Sequence, residues 1–269
     1  MTTAPEKPVT LPGLIAMKQR RDKIVCLTAY DATLARLVDK AGVDVVLIGD
    51  SLGMVIQGQP TTLAVSMDDM AYHTACTARG VRRAFILADL PFMSCATPTD
   101  AAHNAARLIR AGAHAVKIEG AGPYVSIIRF LTERNVAVCA HLGLLPQSVY
   151  KLGGYKMQAR EPDSARQLLA DAGALADAGA SLLVLECVPP DLALEVTESI
   201  PIPTIGIGAG PHCDGQILVL YDMLGLSPKR PWFCKDFLAE SGTPGAAVRH
   251  YVAEVRGRRF PPASPASIG

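Results

Sequence analysis

The sequence has almost no excess of charge of either sign. Its 26 lysines and arginines nearly balance 25 aspartates and glutamates, which gives a formal net charge of +1. Proteins that bind nucleic acid or an acidic membrane surface gather basic side chains in a patch or stripe. We find no such stripe along this chain. We therefore expect no nucleic-acid partner and no membrane partner, but a small-molecule ligand.

The sequence also lacks the features of a disulfide framework, a zinc site or a membrane span. Its seven cysteines are odd in number, lie mostly inside apolar runs and form no Cys-x-x-Cys pair. No uncharged run reaches the roughly 18 residues that a membrane-spanning helix needs. The first residues, MTTAPEKPVTLPG, contain no apolar signal core. We therefore expect a soluble protein of the reducing cytoplasm.

The sequence does contain a repeated pattern in which an apolar run of strand length ends on a polar residue. The runs are VVLIGDSLG, FILADLPF, HAVKIEG, VAVCAHLG and LLVLECVP. A strand buried on both faces tolerates no unpaired charge in its middle, but its end can open onto a polar cleft. One end of one sheet is therefore expected to carry Asp50, Ser51, Asp89, Lys117, Glu119, His141 and Glu186.

Segments with the apolar spacing of helices alternate with these runs. Strands are predicted to end near Thr28, to begin at Val45, and to span 84–88, 115–118, 136–140, 182–185 and 204–207, with WFCKDF as a shorter eighth run. Helices are predicted over 14–21, 31–40, 67–79, 98–110, 124–134, 164–178, 190–199, 214–224 and 245–255. Gly58 and Pro60 predict a long loop after Gly53, and a second long loop is expected through GGYKMQAR.

Eight strands that alternate with helices form either an open doubly wound sheet or a closed barrel. In an open sheet, functional groups gather at one switch point, whereas here five successive strands each end on a polar group. This ring predicts the α/β class and a (β/α)8 TIM barrel. At 269 residues and 49% hydrophobic, the chain 1–269 is expected to form one domain, with a short N-terminal extension and a loose tail, FPPASPASIG.

Asp50, Asp89 and Glu119 are candidate metal ligands. They are hard oxygen donors on neighbouring strand ends, and Mg²⁺ typically takes one or two carboxylates and keeps positions for water and substrate. Any one acid alone could instead cap a helix or pair with lysine or arginine. The recurrence of acids at successive strand ends favours the metal.

The remaining polar residues allow more than one role. Lys117 and Glu119 stand two apart in one strand and so face the same side. Lys117 could neutralise a substrate carboxylate, form a Schiff base, or pair with an acid. Glu186 lies in apolar surroundings that suit proton abstraction. His141 could orient a carboxylate or water, or could be a core histidine bonded to a backbone carbonyl.

Two familiar motifs do not fit their usual functions. GDSLG matches the nucleophile elbow of serine hydrolases, but that elbow runs straight into a helix, and here Gly58 and Pro60 follow. IGIGAG begins like a dinucleotide fingerprint but misses its spacing. We expect the glycines of IGIGAG to let the backbone approach a ligand closely.

Eight motifs together resemble the ketopantoate hydroxymethyltransferase family. They are TAYD, GDSLGMVIQG, ADLPFM, VKIEG, HLGLLPQS, GGYKMQAR, LLVLECVP and IGIGAGPHCDGQILV, and they cover roughly residues 14–260. The chain departs from the family pattern at Leu145, Ala64, Met157 and Ala159. None of these is a proposed catalytic residue.

The resemblance implies a barrel of the phosphoenolpyruvate/pyruvate superfamily type that works as a cytoplasmic homodecamer. The implied reaction transfers a hydroxymethyl group from the co-substrate 5,10-methylenetetrahydrofolate to 3-methyl-2-oxobutanoate, giving ketopantoate for pantothenate and coenzyme A synthesis. By resemblance, Glu186 is the base, and Ser51 and Lys117 contact the oxoacid. One Mg²⁺ per subunit is held by Asp50 and Asp89 with Glu119 nearby, and we also expect Asp50, Asp89 and His141 to contact the substrate.

Three rival interpretations remain. A metal-dependent carbon–carbon lyase or phosphonomutase of the same superfamily would share the acid ring, but it normally uses a cysteine in a KKCGH-like loop, which this sequence lacks. A Schiff-base aldolase would use Lys117 without a metal. A scaffold without activity would bind neither Mg²⁺ nor oxoacid.

Overall fold

Eight parallel strands follow one another around a closed barrel in the order of the chain. The structure is a computed structural model that describes residues 7–262. The strands are β1 Ile24–Thr28, β2 Val45–Ile48, β3 Phe85–Asp89, β4 Ala115–Glu119, β5 Val138–Gly143, β6 Leu182–Glu186, β7 Thr204–Ile207 and β8 Gly215–Leu218. β1 pairs with β8, with Cys26 opposite Ile217, which closes the ring. The predicted (β/α)8 barrel is confirmed.

Helices connect the strands, and several of them begin with residues that are common at helix N-termini. They are α1 Leu11–Arg20, α2 Ala32–Lys40, α3 Leu52–Val55, α4 Met67–Gly80, α5 Pro98–Ala111, α6 Pro123–Thr132, α7 Val149–Leu152, α8 Pro162–Asp177, α9 Pro190–Ser199, α10 Leu220–Met223, α11 Phe237–Ser241 and α12 Pro244–Arg256. Thr97 caps α5 through the amide of Asp100, and Pro98 occupies the first turn. Ser66 and Asp69 form a capping box at the start of α4.

The predicted eighth strand is wrong. The helix expected over 214–224 is the four-residue strand β8 followed closely by the short helix α10, and WFCKDF is a turn and irregular chain up to Phe237, where α11 begins. A Cβ on Gly215 would lie 2.5 Å from the carbonyl oxygen of Ile24, so this position lets β8 come close to β1. A short buried strand that runs directly into a helical turn produces an apolar spacing that resembles one long helix.

Smaller differences occur elsewhere. The predicted loop after Gly53 begins with the single turn α3 and contains a short 3-10 turn, Thr62–Ala64. β5 extends to Gly143, so His141 lies within the strand. Phe260, the first residue of the predicted loose tail, is buried against Phe237 and Tyr251. The end of that tail, 263–269, lies outside the described residues.

The barrel interior is filled by side chains from the strands, and α1 covers its N-terminal end. Leu14 of α1 is fully buried and belongs to the same apolar cluster as the inward-facing Ile24, Val45 and Phe85. Two larger apolar clusters lie between the strands and the outer helices. No helix in residues 7–262 is long and apolar enough to cross a membrane. The opposite, C-terminal end of the barrel is the end that carries the polar residues.

Candidate active site

The predicted site residues meet at the C-terminal end of the barrel around one cavity of about 690 Å³. The cavity lining includes all seven of them: Asp50, Ser51, Asp89, Lys117, Glu119, His141 and Glu186. Asp89 and Glu186 end β3 and β6, while Asp50 and Ser51 come directly after β2. The topology therefore brings together residues that are widely separated in sequence.

Lys117 lies in the middle of the carboxylates. Its Nζ is 2.7 Å from Oδ1 of Asp89 and 3.6 Å from Oε1 of Glu119. Burial alone would lower the pKa of Lys117, but Asp89, Glu119 and Asp50 together raise it above its ordinary value. The amine is therefore held in its charged form. A charged amine does not attack a carbonyl, so the site favours ion pairing over a Schiff base.

Asp50 and Asp89 form a close pair of acids. The backbone amide of Asp50 donates to Oδ2 of Asp89 at 3.0 Å. Burial, followed by the charges of Asp89 and Glu119, raises the pKa of Asp50 well above its usual range, while Lys117 and a hydrogen bond from Gln147 oppose this shift. A cation bound between the two carboxylates would relieve this repulsion.

The donor set fits Mg²⁺ through two carboxylates rather than through a complete protein cage. Among residues 7–262, no group of three or more His, Cys, Asp or Glu side chains is arranged to hold a metal by itself. Glu119, the third predicted ligand, faces Lys117 and His141 through Oε1 and accepts a hydrogen bond at Oε2. Asp89 is engaged in the same way, with Oδ1 at Lys117 and Oδ2 at the amide of Asp50. Mg²⁺ commonly binds one or two carboxylates and keeps several waters. Asp50 and Asp89 would suffice for such a site, and Glu119 as a third ligand stays a prediction.

His141 lies between two carboxylates. Its Nδ1 is 3.3 Å from Oε1 of Glu119, and its Nε2 is 3.3 Å from Oε2 of Glu186. Both contacts are longer than an ordinary hydrogen bond to a carboxylate. Burial lowers the pKa of His141, but the two carboxylates raise it to about 9. Both ring nitrogens of His141 thus face carboxylates and not a backbone carbonyl, and the carboxylate-orienting role stays a prediction.

The end of β6 places Glu186 at the cavity with a sharp turn. Cys187, directly after it, has a φ of 46°, a conformation that is uncommon for a residue with a side chain. A Cβ on Gly143 would lie 2.2 Å from the carbonyl oxygen of Glu186, so glycine allows β5 to approach here. The amide of Leu144 donates to that same oxygen at 2.8 Å. The backbone around Glu186 is therefore tightly fixed.

Gln147 is a site residue that the sequence analysis did not identify. Its Nε2 donates to Oδ2 of Asp50 at 2.8 Å and to the carbonyl oxygen of Leu90 at 3.0 Å. Its backbone amide donates to Oε2 of Glu119 at 3.0 Å. The residue lies in the motif HLGLLPQS, but its type alone gave no sign that it touches two acids from other strands.

The structure also clarifies the two discounted motifs. The hydroxyl of Ser51 shares a 2.9 Å hydrogen bond with the hydroxyl of buried Tyr30, and only the single turn α3 follows. This pairing gives no activated nucleophile. In IGIGAG, a Cβ at Gly208 would lie 2.7 Å from Cδ1 of Phe233, and one at Gly210 would lie 2.7 Å from Cβ of Pro190. The chain's own side chains therefore occupy the space beside both glycines, and an approach of this backbone to a ligand stays a prediction.

Residues 229–233, in the segment after α10, form a further part of the cavity lining, which we call the far wall. The sequence did not predict it. Its lining residues are Lys229, Arg230, Pro231, Trp232 and Phe233. Nothing in the local sequence marks these residues as part of the site. Trp232 and Phe233 belong to WFCKDF, which the sequence predicts as a strand.

Comparison with solved structures first places the fold in a class. Phosphonopyruvate hydrolase gives a TM-score of 0.62 at 16% identity over 80% of this chain and 83% of its own. 2,3-Dimethylmalate lyase, a member of the PEP mutase/isocitrate lyase superfamily, gives 0.59 at 19% identity over 87% and 89%. At 16–19% identity these likenesses show a shared fold, the closed (β/α)8 barrel.

Sequence comparison identifies the family within that class. A sequence model of ketopantoate hydroxymethyltransferase matches residues 8–263. The 3-methyl-2-oxobutanoate hydroxymethyltransferase of Methylococcus capsulatus is 59% identical over 94% of this chain and 95% of its own. The enzyme of Stenotrophomonas maltophilia is 57% identical over 97% and 96%. The chain belongs to the ketopantoate hydroxymethyltransferase family, as the eight motifs predicted.

Proposed function

We propose that the protein transfers a hydroxymethyl group from 5,10-methylenetetrahydrofolate to 3-methyl-2-oxobutanoate and so forms ketopantoate. Family membership supports this reaction over the carbon–carbon lyase alternative. The observation that carries the proposal is the convergence of Asp50, Asp89, Lys117, His141 and Glu186 on one cavity. A cytoplasmic location and a homodecameric assembly stay predictions from the resemblance.

The site provides a place for the oxoacid and for a metal. Asp50 and Asp89 would hold Mg²⁺, which when bound acts as a Lewis acid toward the ketone and carboxylate oxygens of the substrate. Lys117 is held charged beside them and can neutralise substrate carboxylate. Ser51, hydrogen-bonded to Tyr30, can contact the same group.

Glu186 is the proposed base. It removes the proton from C3 of the oxoacid, so that one C–H bond breaks and its electron pair is delocalised toward the ketone oxygen. His141, charged and 3.3 Å from Glu186, orients the carboxylate. The electron pair then forms a C–C bond to the one-carbon unit of the folate, and one water is consumed as tetrahydrofolate leaves.

The test follows the C3 proton by NMR. 3-Methyl-2-oxobutanoate is incubated in deuterated buffer with Mg²⁺ and without folate. The wild type should exchange the proton, and a chelator should stop this exchange. Glu186→Gln should slow exchange about 100-fold or more because the base is gone. The matched control Glu195→Gln, at an exposed position of α9, should exchange at the wild-type rate.

Each outcome has a separate meaning. Absence of exchange by the wild type under all conditions would overturn the proposed reaction. Exchange by Glu186→Gln at the wild-type rate would refute Glu186 as the base while leaving the reaction in place. Exchange that a chelator does not affect would favour a metal-free mechanism through a Schiff base on Lys117.

A further inference from the structure

The cavity is much larger than a five-carbon oxoacid requires. Its volume of about 690 Å³ lies within the range of about 300–1,000 Å³ typical of pockets that enclose a drug-sized ligand. The acids described above line only one part of it. The remaining part is bounded by the segment after α10, including Lys229, Arg230 and Trp232.

The two parts of the lining differ in charge. The strand ends contribute four carboxylates and one amine: Asp50, Asp89, Glu119, Glu186 and Lys117. The segment after α10 contributes two cations, Lys229 and Arg230, and α10 itself contributes one carboxylate, Asp222. Both cations are exposed, and Nη1 of Arg230 is 3.9 Å from Oδ2 of Asp236, a loose ion pair. An elongated acidic ligand would therefore place its carboxylates toward these cations and away from the strand ends.

The far wall is anchored to the barrel. The ring of Phe233 occupies the space that Gly208 leaves open at the end of β7, and Cys234 beside it is buried. The amide of Cys234 donates to the carbonyl oxygen of Pro231 at 3.0 Å. This places Trp232 at the cavity on a fixed turn.

Trp232 presents a flat aromatic surface at this wall. Its ring meets that of Phe233 edge to face, with centroids 5.5 Å apart, and the residue remains 48% exposed. An exposed aromatic ring that lines a cavity is suited to stacking on a flat heterocycle or arene. A ligand with such a ring and a carboxylate tail could stack on Trp232 and pair with Lys229 and Arg230 at the same time.

We propose that Trp232, Lys229 and Arg230 form the binding subsite for the folate co-substrate. Trp232 stacks on the flat ring portion of the folate, and Lys229 and Arg230 pair with the carboxylates of its glutamate tail. This inference rests on the proposed function, since it assigns the second substrate of that reaction to a wall of the same cavity.

The test combines kinetics with fluorescence. Trp232→Ala should raise KM for 5,10-methylenetetrahydrofolate about tenfold through lost stacking, and Lys229→Gln/Arg230→Gln about tenfold through lost ion pairs. Neither variant should change KM for the oxoacid or the rate of C3 exchange without folate. Lys235→Gln is the control, because Lys235 belongs to the same segment but pairs with Glu240 at 2.9 Å.

The chain's single tryptophan provides a direct binding signal. Tetrahydrofolate should quench the fluorescence of the wild type, and tetrahydropteroate, which lacks the glutamate, should bind about tenfold more weakly. In the Lys229→Gln/Arg230→Gln variant, tetrahydrofolate and tetrahydropteroate should bind with the same affinity. Equal binding of both by the wild type, or an unchanged KM for the folate in both variants, would overturn the subsite. Loss of C3 exchange in the wild type would instead overturn the proposed function.

Discussion

Gln147 shows how one neutral side chain can organise a charged site. Its Nε2 holds Oδ2 of Asp50, and its backbone amide holds Oε2 of Glu119. It thus fixes the position of two acids that would otherwise repel each other. Residues that orient metal-binding carboxylates commonly affect metal affinity as strongly as some ligands do.

Replacing Gln147 by Ala should weaken Mg²⁺ binding about 10- to 100-fold, because Asp50 loses its hydrogen bond and its fixed orientation. Isothermal titration calorimetry with Mg²⁺ measures this directly. Gln167→Ala is the control, since the exposed side chain of Gln167 donates to Asp171 in the same helix, α8, and does not line the cavity. Equal Mg²⁺ affinity in the Gln147→Ala variant and the wild type would rule out the orienting role.

The residue types of the site were predictable from sequence, but their contacts were not. A carboxylate after a buried apolar run has few other stable places, so Asp50, Asp89 and Glu186 could be assigned to one end of the sheet. Gln147 and Tyr30 carry no such constraint, because a neutral polar side chain is tolerated in many environments. Their roles depend on distances across the barrel that only the fold determines.

At the scale of elements, helices α2 and α4 approach so closely that one position must be glycine. A Cβ on Gly80, at the end of α4, would lie 2.3 Å from the carbonyl oxygen of Ala32 and 2.9 Å from Cβ of Ala35. In α8, by contrast, a Cβ on Gly173 would meet no atom within 4 Å. The two helical glycines therefore serve different purposes.

Gly80→Ala should lower the free energy of unfolding by about 1–3 kcal/mol, since α2 and α4 must move apart. Gly173→Ala is the matched change and should raise it by about 0.4–1 kcal/mol, because it restricts the unfolded chain without a clash. Urea unfolding followed by circular dichroism measures both. A stabilised Gly80→Ala variant would show that this helix contact is not tight.

The elements that the sequence failed to predict are short ones. Long amphipathic segments such as α5 and α8 were predicted within a few residues, because the apolar period repeats over several turns. β8 has four residues and continues directly into α10. No period can be measured over so short a run, and pairing with β1 and β7 decides its conformation.

At the scale of the whole molecule, the ring must close between its first and last strands. Tyr251 of α12 lies over this junction, with its hydroxyl 3.1 Å from the carbonyl oxygen of Cys26 and 3.0 Å from that of Gln216. The side chain is fully buried, and this burial raises its pKa well above the usual range. One hydroxyl proton is thus shared between β1 and β8.

Tyr251→Phe should lower the free energy of unfolding by about 1–3 kcal/mol, because the hydrogen bond at the barrel closure is lost. The C3 exchange rate should not change, since Tyr251 does not line the cavity. Thermal unfolding provides the measurement, and Tyr72→Phe, at a residue that is 67% exposed, is the control. Equal stability of both variants would show that the hydroxyl contributes nothing to closure.

Closure of the barrel could be predicted because five successive strands end on polar residues. Such a pattern favours a barrel mouth over the single switch point of an open sheet. Which strand closes the barrel could not be predicted. That depends on pairing between residues almost two hundred positions apart, such as Cys26 and Ile217. The polar residues at the strand ends indicate a barrel, but they do not identify every strand in it.

The cover that Leu14 provides at the N-terminal end leaves the C-terminal mouth as the route into this cavity. The acids lie at the strand ends, and the wall of Lys229, Arg230 and Trp232 lies across the same opening. A large ligand bound at this wall would close the route to the acids. If the proposed folate subsite is correct, we therefore expect an ordered reaction in which the oxoacid enters first and its product leaves last.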